Sequence, residues 1–68
     1  MNVHTFLSLE LKYGDFIYIV TEKGEGFSGN YENDYNSSNE TFKFSNFSNG
    51  KTEIIYVDKL QHLSKQRK

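Results

Sequence analysis

The chain has 68 residues, no cysteine, no proline and a formal net charge of −1. That length holds one domain with a modest core, burying roughly 60% of the surface that the unfolded chain exposes. Disulfides and a cysteine-held structural metal are excluded, and the charge balance lacks the basic excess that usually marks a nucleic-acid binder. With so small a core and no covalent staple, self-association is the expected source of further stability.

Residues 1–13 support two readings. Val3, Phe6, Leu7 and Leu11 recur at helical spacing behind Asn2 as N-cap. Val3, Leu7, Leu9, Leu11 and Tyr13 fall on alternate positions, as in a strand. From Asp15 to Glu22 the β-branched and aromatic run predicts a strand, with Ile17 and Ile19 on one face and Phe16, Tyr18 and Val20 on the other. Glu25 to Asn33 is its antiparallel partner, with Gly24 and Gly26 at the reversal where φ > 0 is cheap for glycine. Gly29 falls inside this second strand, where glycine marks a bend or a close backbone approach.

The polar stretch 34–40 reads as a loop. Thr41 to Phe47 alternates again, with Phe42 and Phe44 sharing a face. Ser48-Asn49-Gly50 predicts a type I′ hairpin turn into a strand over 52–57. Asp58-Lys59 interrupts that strand, and Leu60 and Leu63 close the apolar pattern. The expected organisation is one domain over 1–63 and a frayed basic tail over 64–68. The fold class is mainly β: a strongly bent five-stranded sheet curling into a small barrel, with or without a short N-terminal helix.

No apolar run is long enough to span a bilayer and no basic-then-apolar leader is present, so a soluble cytoplasmic protein without membrane contact is expected. The Asn-x-Ser/Thr sequons at Asn36, Asn39 and Asn46 read as accidents of an Asn- and Ser-rich chain.

The glycine and apolar spacing resembles the first motif of the Sm-like family, which includes the Sm and LSm proteins and bacterial Hfq. Gly14, Ile17, Ile19, Gly24, Phe27 and Gly29 occupy the motif's offsets without a gap, and Tyr31 follows at its apolar position. Asn39 stands where the Sm motif often carries asparagine, and the segment from Ile55 to Leu63 has the apolar spacing of the second motif. The chain departs from the pattern at Tyr35, where Sm proteins favour aspartate, and at Tyr56-Val57, which replace an Arg-Gly. Of Hfq's Tyr-Lys-His only Tyr56 remains, followed by Val57 and Asp58. The resemblance implies a small barrel that assembles into homo-oligomers and binds RNA or a nucleotide-type ligand at a rim holding Tyr35, Asn36, Asn39, Tyr56 and Asp58.

Such side chains suit that chemistry, since tyrosine stacks on bases and the asparagine amide reads a base edge. Charge does not favour phosphate along 22–40, where Glu22, Glu25, Glu32, Asp34 and Glu40 meet only Lys23. Positive charge gathers at Lys65, Arg67 and Lys68, a candidate phosphate-contacting tail or an ordinary solubilising terminus. His4 and His62 have no cysteine or carboxylate at ligand spacing, so no metal and no cofactor is expected. Gly24, Gly26 and Gly29 join two strands, and without a following helix they cannot act as a dinucleotide fingerprint. No catalytic residues can be assembled, and a non-enzymatic binding protein is the expectation. The alternative is a phage or mobile-element protein that blocks a host or defence protein, or one that sequesters a nucleotide second messenger. Small size, acidity, aromatic richness and the loss of the cations that RNA-binding relatives use motivate it, and an Asn-, Lys-, Ile- and Tyr-rich composition fits an AT-rich genome such as that of a low-GC bacterium or its phage.

Overall fold

A computed structural model describes residues 1–66. Helix α1 (Val3–Ser8) precedes strands β1 (Phe16–Thr21), β2 (Gly26–Tyr31), β3 (Thr41–Asn46), β4 (Lys51–Tyr56) and β5 (Leu60–Lys65), with a 3₁₀ turn over Val57–Lys59. The strands form one antiparallel sheet in the order β4-β3-β2-β1-β5. The mainly β expectation with five strands therefore holds, but the sheet does not close: β4 and β5 are its two edges. The three-residue 3₁₀ turn joins one edge strand directly to the other, so the sheet curls until the end of β4 and the start of β5 lie close together. There Leu60 and Leu63 become buried, opposite Thr21 and Ile19 of β1.

Helical spacing prevails at the N-terminus. The Asn2 side chain accepts hydrogen bonds from the His4 and Thr5 N–H groups at 2.6 and 3.4 Å, capping α1. Isolated helices shorter than about 12–15 residues are marginal, so six residues need tertiary support. Phe6 supplies it, buried against Phe42 and Tyr31 with ring centroids 5.2 and 6.2 Å away. The remaining core comprises Ile17, Ile19, Phe44, Val57, Leu60 and Leu63.

The β1–β2 reversal is a three-residue loop. Gly24 takes φ +87° and donates to the Thr21 carbonyl at 2.9 Å. Gly26 has no left-handed φ and instead lies beneath the Tyr18 phenol. Gly29 pairs with Ile17 on one side and Asn46 on the other, so it is where β2 passes from one half of the sheet to the other. The Asn49-Gly50 hairpin corrects the type I′ expectation. Only Gly50 has positive φ (+68°), and four residues separate the Asn46–Lys51 pair. Such loops are usually built around a type I turn, whose central residues keep negative φ, and here the left-handed Gly50 follows it back into β4.

The end of the chain differs from the expected tail. Ser64 and Lys65 belong to β5, where Lys65 pairs with Ile17 and its Nζ lies 3.4 Å from Asp15. Backbone pairing with β1 decides this, although the local composition is polar. Arg67 and Lys68 lie outside the described residues. No helix of the described residues is long and apolar enough to cross a membrane.

Candidate functional site

The segment between β2 and β3 is shaped by three non-glycine residues in the left-handed region: Asn33 (φ 65°), Asp34 (φ 59°) and Glu40 (φ 57°). Asparagine and aspartate tolerate this conformation because their short side chains bond locally, whereas glutamate has no such help. Asn36 closes the loop on Thr41 through backbone hydrogen bonds of 2.8 and 3.2 Å. Its Oδ1 also accepts from the Ser38 and Asn39 N–H groups at 2.9 and 3.1 Å. The Glu40 carbonyl then accepts from the Val57 N–H at 3.0 Å, tying the loop to the 3₁₀ turn.

Beneath this loop lies a concavity of about 200 Å³ on the outer face of β3 and β4. Strand alternation sets its floor: Thr41 and Lys43 face the same way as their cross-strand partners Tyr56 and Ile54. Asn36 and Asn39 form its upper wall. Asp34 closes it through an ion pair with Lys43 at 2.9 Å. The volume is below the roughly 300–1,000 Å³ of ordinary small-molecule pockets, so one ring-sized group fills it.

Tyr56 and Ile54 form a ridge between this concavity and a second of about 280 Å³ under the β1–β2 turn, which Lys23 and Lys59 also line. Ile54 is 62% exposed and Tyr56 48%, so the two place adjacent apolar surface on the outer face of β4. The Lys59 ammonium lies 5.2 Å from the Tyr56 ring centroid, within cation–π range.

Three of the expected site residues, Asn36, Asn39 and Tyr56, thus line one concavity. Tyr35 does not join them: its ring packs 5.4 Å from Phe6, against the core. Asp58 is exposed on the 3₁₀ turn and borders a different hollow with His4, Leu7 and Glu40. Lys65 is held in β5 beside Asp15, away from this loop. Among the described residues no three His, Cys, Asp or Glu side chains converge as a metal site requires.

Sequence reading passed over Asp34, Lys43, Ile54 and Lys59. A signal for two of them exists in the alternation: Lys43 lies in phase with Thr41, and Ile54 is out of phase with the inward Ile55.

Against known proteins, the chain matches no family model, no curated protein and no solved structure.

Proposed function

We propose that this chain is a non-enzymatic Sm-like binding module that self-associates and takes RNA or a nucleotide-type ligand beside β4. The observation carrying the reading is the convergence of Asn36, Asn39 and the half-exposed Tyr56 ring on one ring-sized concavity. A base stacked on Tyr56 would lie beside the Asn36 and Asn39 side-chain N–H groups, which can donate to the ligand while Asn36 Oδ1 already accepts from Ser38 and Asn39. Stacking is worth roughly 1–3 kcal/mol per base, enough for weak affinity from one chain and useful affinity from several.

Self-association is supported by the sheet order. β4 and β5 are the only edges of the sheet, and each pairs on one side alone among the described residues. Pairing β4 of one copy with β5 of the next satisfies both and repeats head to tail, giving a ring or a filament. Such a protein would work in the cytoplasm, where RNA and nucleotides are abundant.

Fluorescence anisotropy with short A-rich and U-rich RNA across a salt series tests the reading. Binding that weakens on Tyr56→Ala supports it. No binding to either RNA at low salt, where charge-driven association is strongest, sinks it.

A second reading is favoured by Ile54, whose exposure beside an open strand edge suits a protein surface better than a nucleotide. In it the chain is a phage or mobile-element inhibitor that docks on a host or defence protein, or a sponge for a nucleotide second messenger. Pull-down before and after nuclease treatment separates these: a nuclease-resistant partner lost in Ile54→Lys supports the inhibitor. Mass spectrometry of retained ligand detects the messenger.

A further inference from the structure

The loop at the site has a twin. Asn36-Ser37-Ser38-Asn39-Glu40-Thr41 and Asn46-Phe47-Ser48-Asn49-Gly50-Lys51 share the pattern Asn-x-Ser-Asn, and each joins a cross-strand pair through four residues. In both, the first asparagine's Oδ1 accepts from the serine N–H, at 2.9 Å for Asn36 and 2.8 Å for Asn46. In both, the fourth loop residue is left-handed, Glu40 at 57° and Gly50 at 68°.

The copies differ in what meets the asparagine amides. In the second loop a single carboxylate takes both: Asn46 Nδ2 donates to Glu53 Oε1 at 3.2 Å, and Asn49 Nδ2 to Glu53 Oε2 at 3.0 Å. The position equivalent to Glu53, two residues past the loop, is Lys43 in the first copy. Asn36 Nδ2 and Asn39 Nδ2 have no hydrogen-bond acceptor among the described residues, and both residues border the concavity that Lys43 floors. Of the acids in this stretch, Asp34 lines the same concavity with its carboxylate 2.9 Å from Lys43, so an entering oxyanion must displace it from the ammonium, and Glu40 borders the other hollow.

We propose that the 36–41 loop is an oxyanion-binding loop. In it the Asn36 and Asn39 amides and Lys43 hold the two free oxygens of a phosphodiester. A phosphodiester carries the same single negative charge as the Glu53 carboxylate and likewise offers two acceptor oxygens. The inference rests on the nucleotide-type reading of the same site and deepens it. The loop grips the backbone, which leaves Tyr56 to stack on the base.

The probe is dimethyl phosphate, titrated into the full chain at constant ionic strength with chloride and followed through asparagine side-chain amide NMR signals. Saturable shifts at Asn36 and Asn39, with Asn46 and Asn49 unmoved because Glu53 already holds them, are expected. Lys43→Glu should move the Asn36 and Asn39 signals toward those of their twins without any ligand. It should also weaken dimethyl phosphate binding roughly tenfold or more. Equal response at all four asparagines, or at none, overturns the proposal. So does acetate seating on Asn36 and Asn39 where dimethyl phosphate does not, since the partner is then a carboxylate. RNA binding that leaves Asn36 and Asn39 unmoved overturns this inference alone. Dimethyl phosphate seated there in a chain that binds no RNA or nucleotide sustains it and overturns the broader reading.

Discussion

A Cβ on Gly29 would lie 2.1 Å from the Ser45 carbonyl oxygen and 2.7 Å from the Phe44 ring. This contact lets β2 serve both halves of the sheet, because the backbone can approach β3 only where no side chain intervenes. Gly29→Ala must push backbone apart rather than a flexible side-chain tip. The expected loss is about 3 kcal/mol or more, at the upper end for overpacking. Urea denaturation measures it, and a loss under about 0.5 kcal/mol would contradict the account.

Glu40 holds a conformation that non-glycine residues adopt at roughly 1–2 kcal/mol. Its twin position is already Gly50. Glu40→Gly should therefore raise stability by about 1 kcal/mol, the relief of strain outweighing glycine's greater unfolded freedom. A rise in urea midpoint at unchanged slope checks this. A fall in midpoint would mean that the Glu40 side chain contributes something its geometry does not reveal.

Tyr35 and Tyr56 should separate cleanly. Truncating Tyr35 removes the aromatic lid on Phe6 and should destabilise by about 2–4 kcal/mol, undocking α1. Tyr56→Ala should change stability by less than about 1 kcal/mol and act on ligand binding instead. Thermal melts paired with anisotropy distinguish the two, and the reverse assignment would contradict the site.

Two groups give stability a pH dependence. The Lys12 N–H bonded to its carboxylate at 2.8 Å, helped by Lys65, holds Asp15 below the usual value of 3.8 despite opposing desolvation. Its contribution is present above the unfolded pKa and is lost as pH falls through the lower folded value. Burial raises Tyr31 above 10.0, with Tyr35 adding to the shift. That contribution is full below about 10 and disappears as pH rises through the folded value. In melts across pH, Asp15→Asn should flatten the acid limb and Tyr31→Phe the alkaline limb. Unchanged limbs in both variants would contradict these assignments.

Much of the sheet was legible because strand alternation and turn residues are local signals. Ile17, Ile19, Phe42 and Phe44 are buried as their spacing predicts, and Gly29 marks the close approach expected of it. What escaped was long-range. Whether Val3–Ser8 coils or extends depends on Phe6 finding Phe42, thirty-six residues later. Tyr35 looked like a loop residue free to stack on a ligand, yet the docking of α1 draws its ring inward. Lys65 sat in a polar run, and only its pairing with Ile17 makes it strand. Of the residues expected at a ligand-binding rim, Asn36, Asn39 and Tyr56 line one concavity. Lys43 and Ile54 required knowing that β3 and β4 present one face to the loop above.

The central claim joins assembly through open edges to recognition beside β4, and native mass spectrometry of gently purified protein tests both together. The account predicts an oligomer that carries additional mass matching RNA or nucleotide. A bare monomer at every concentration would contradict it.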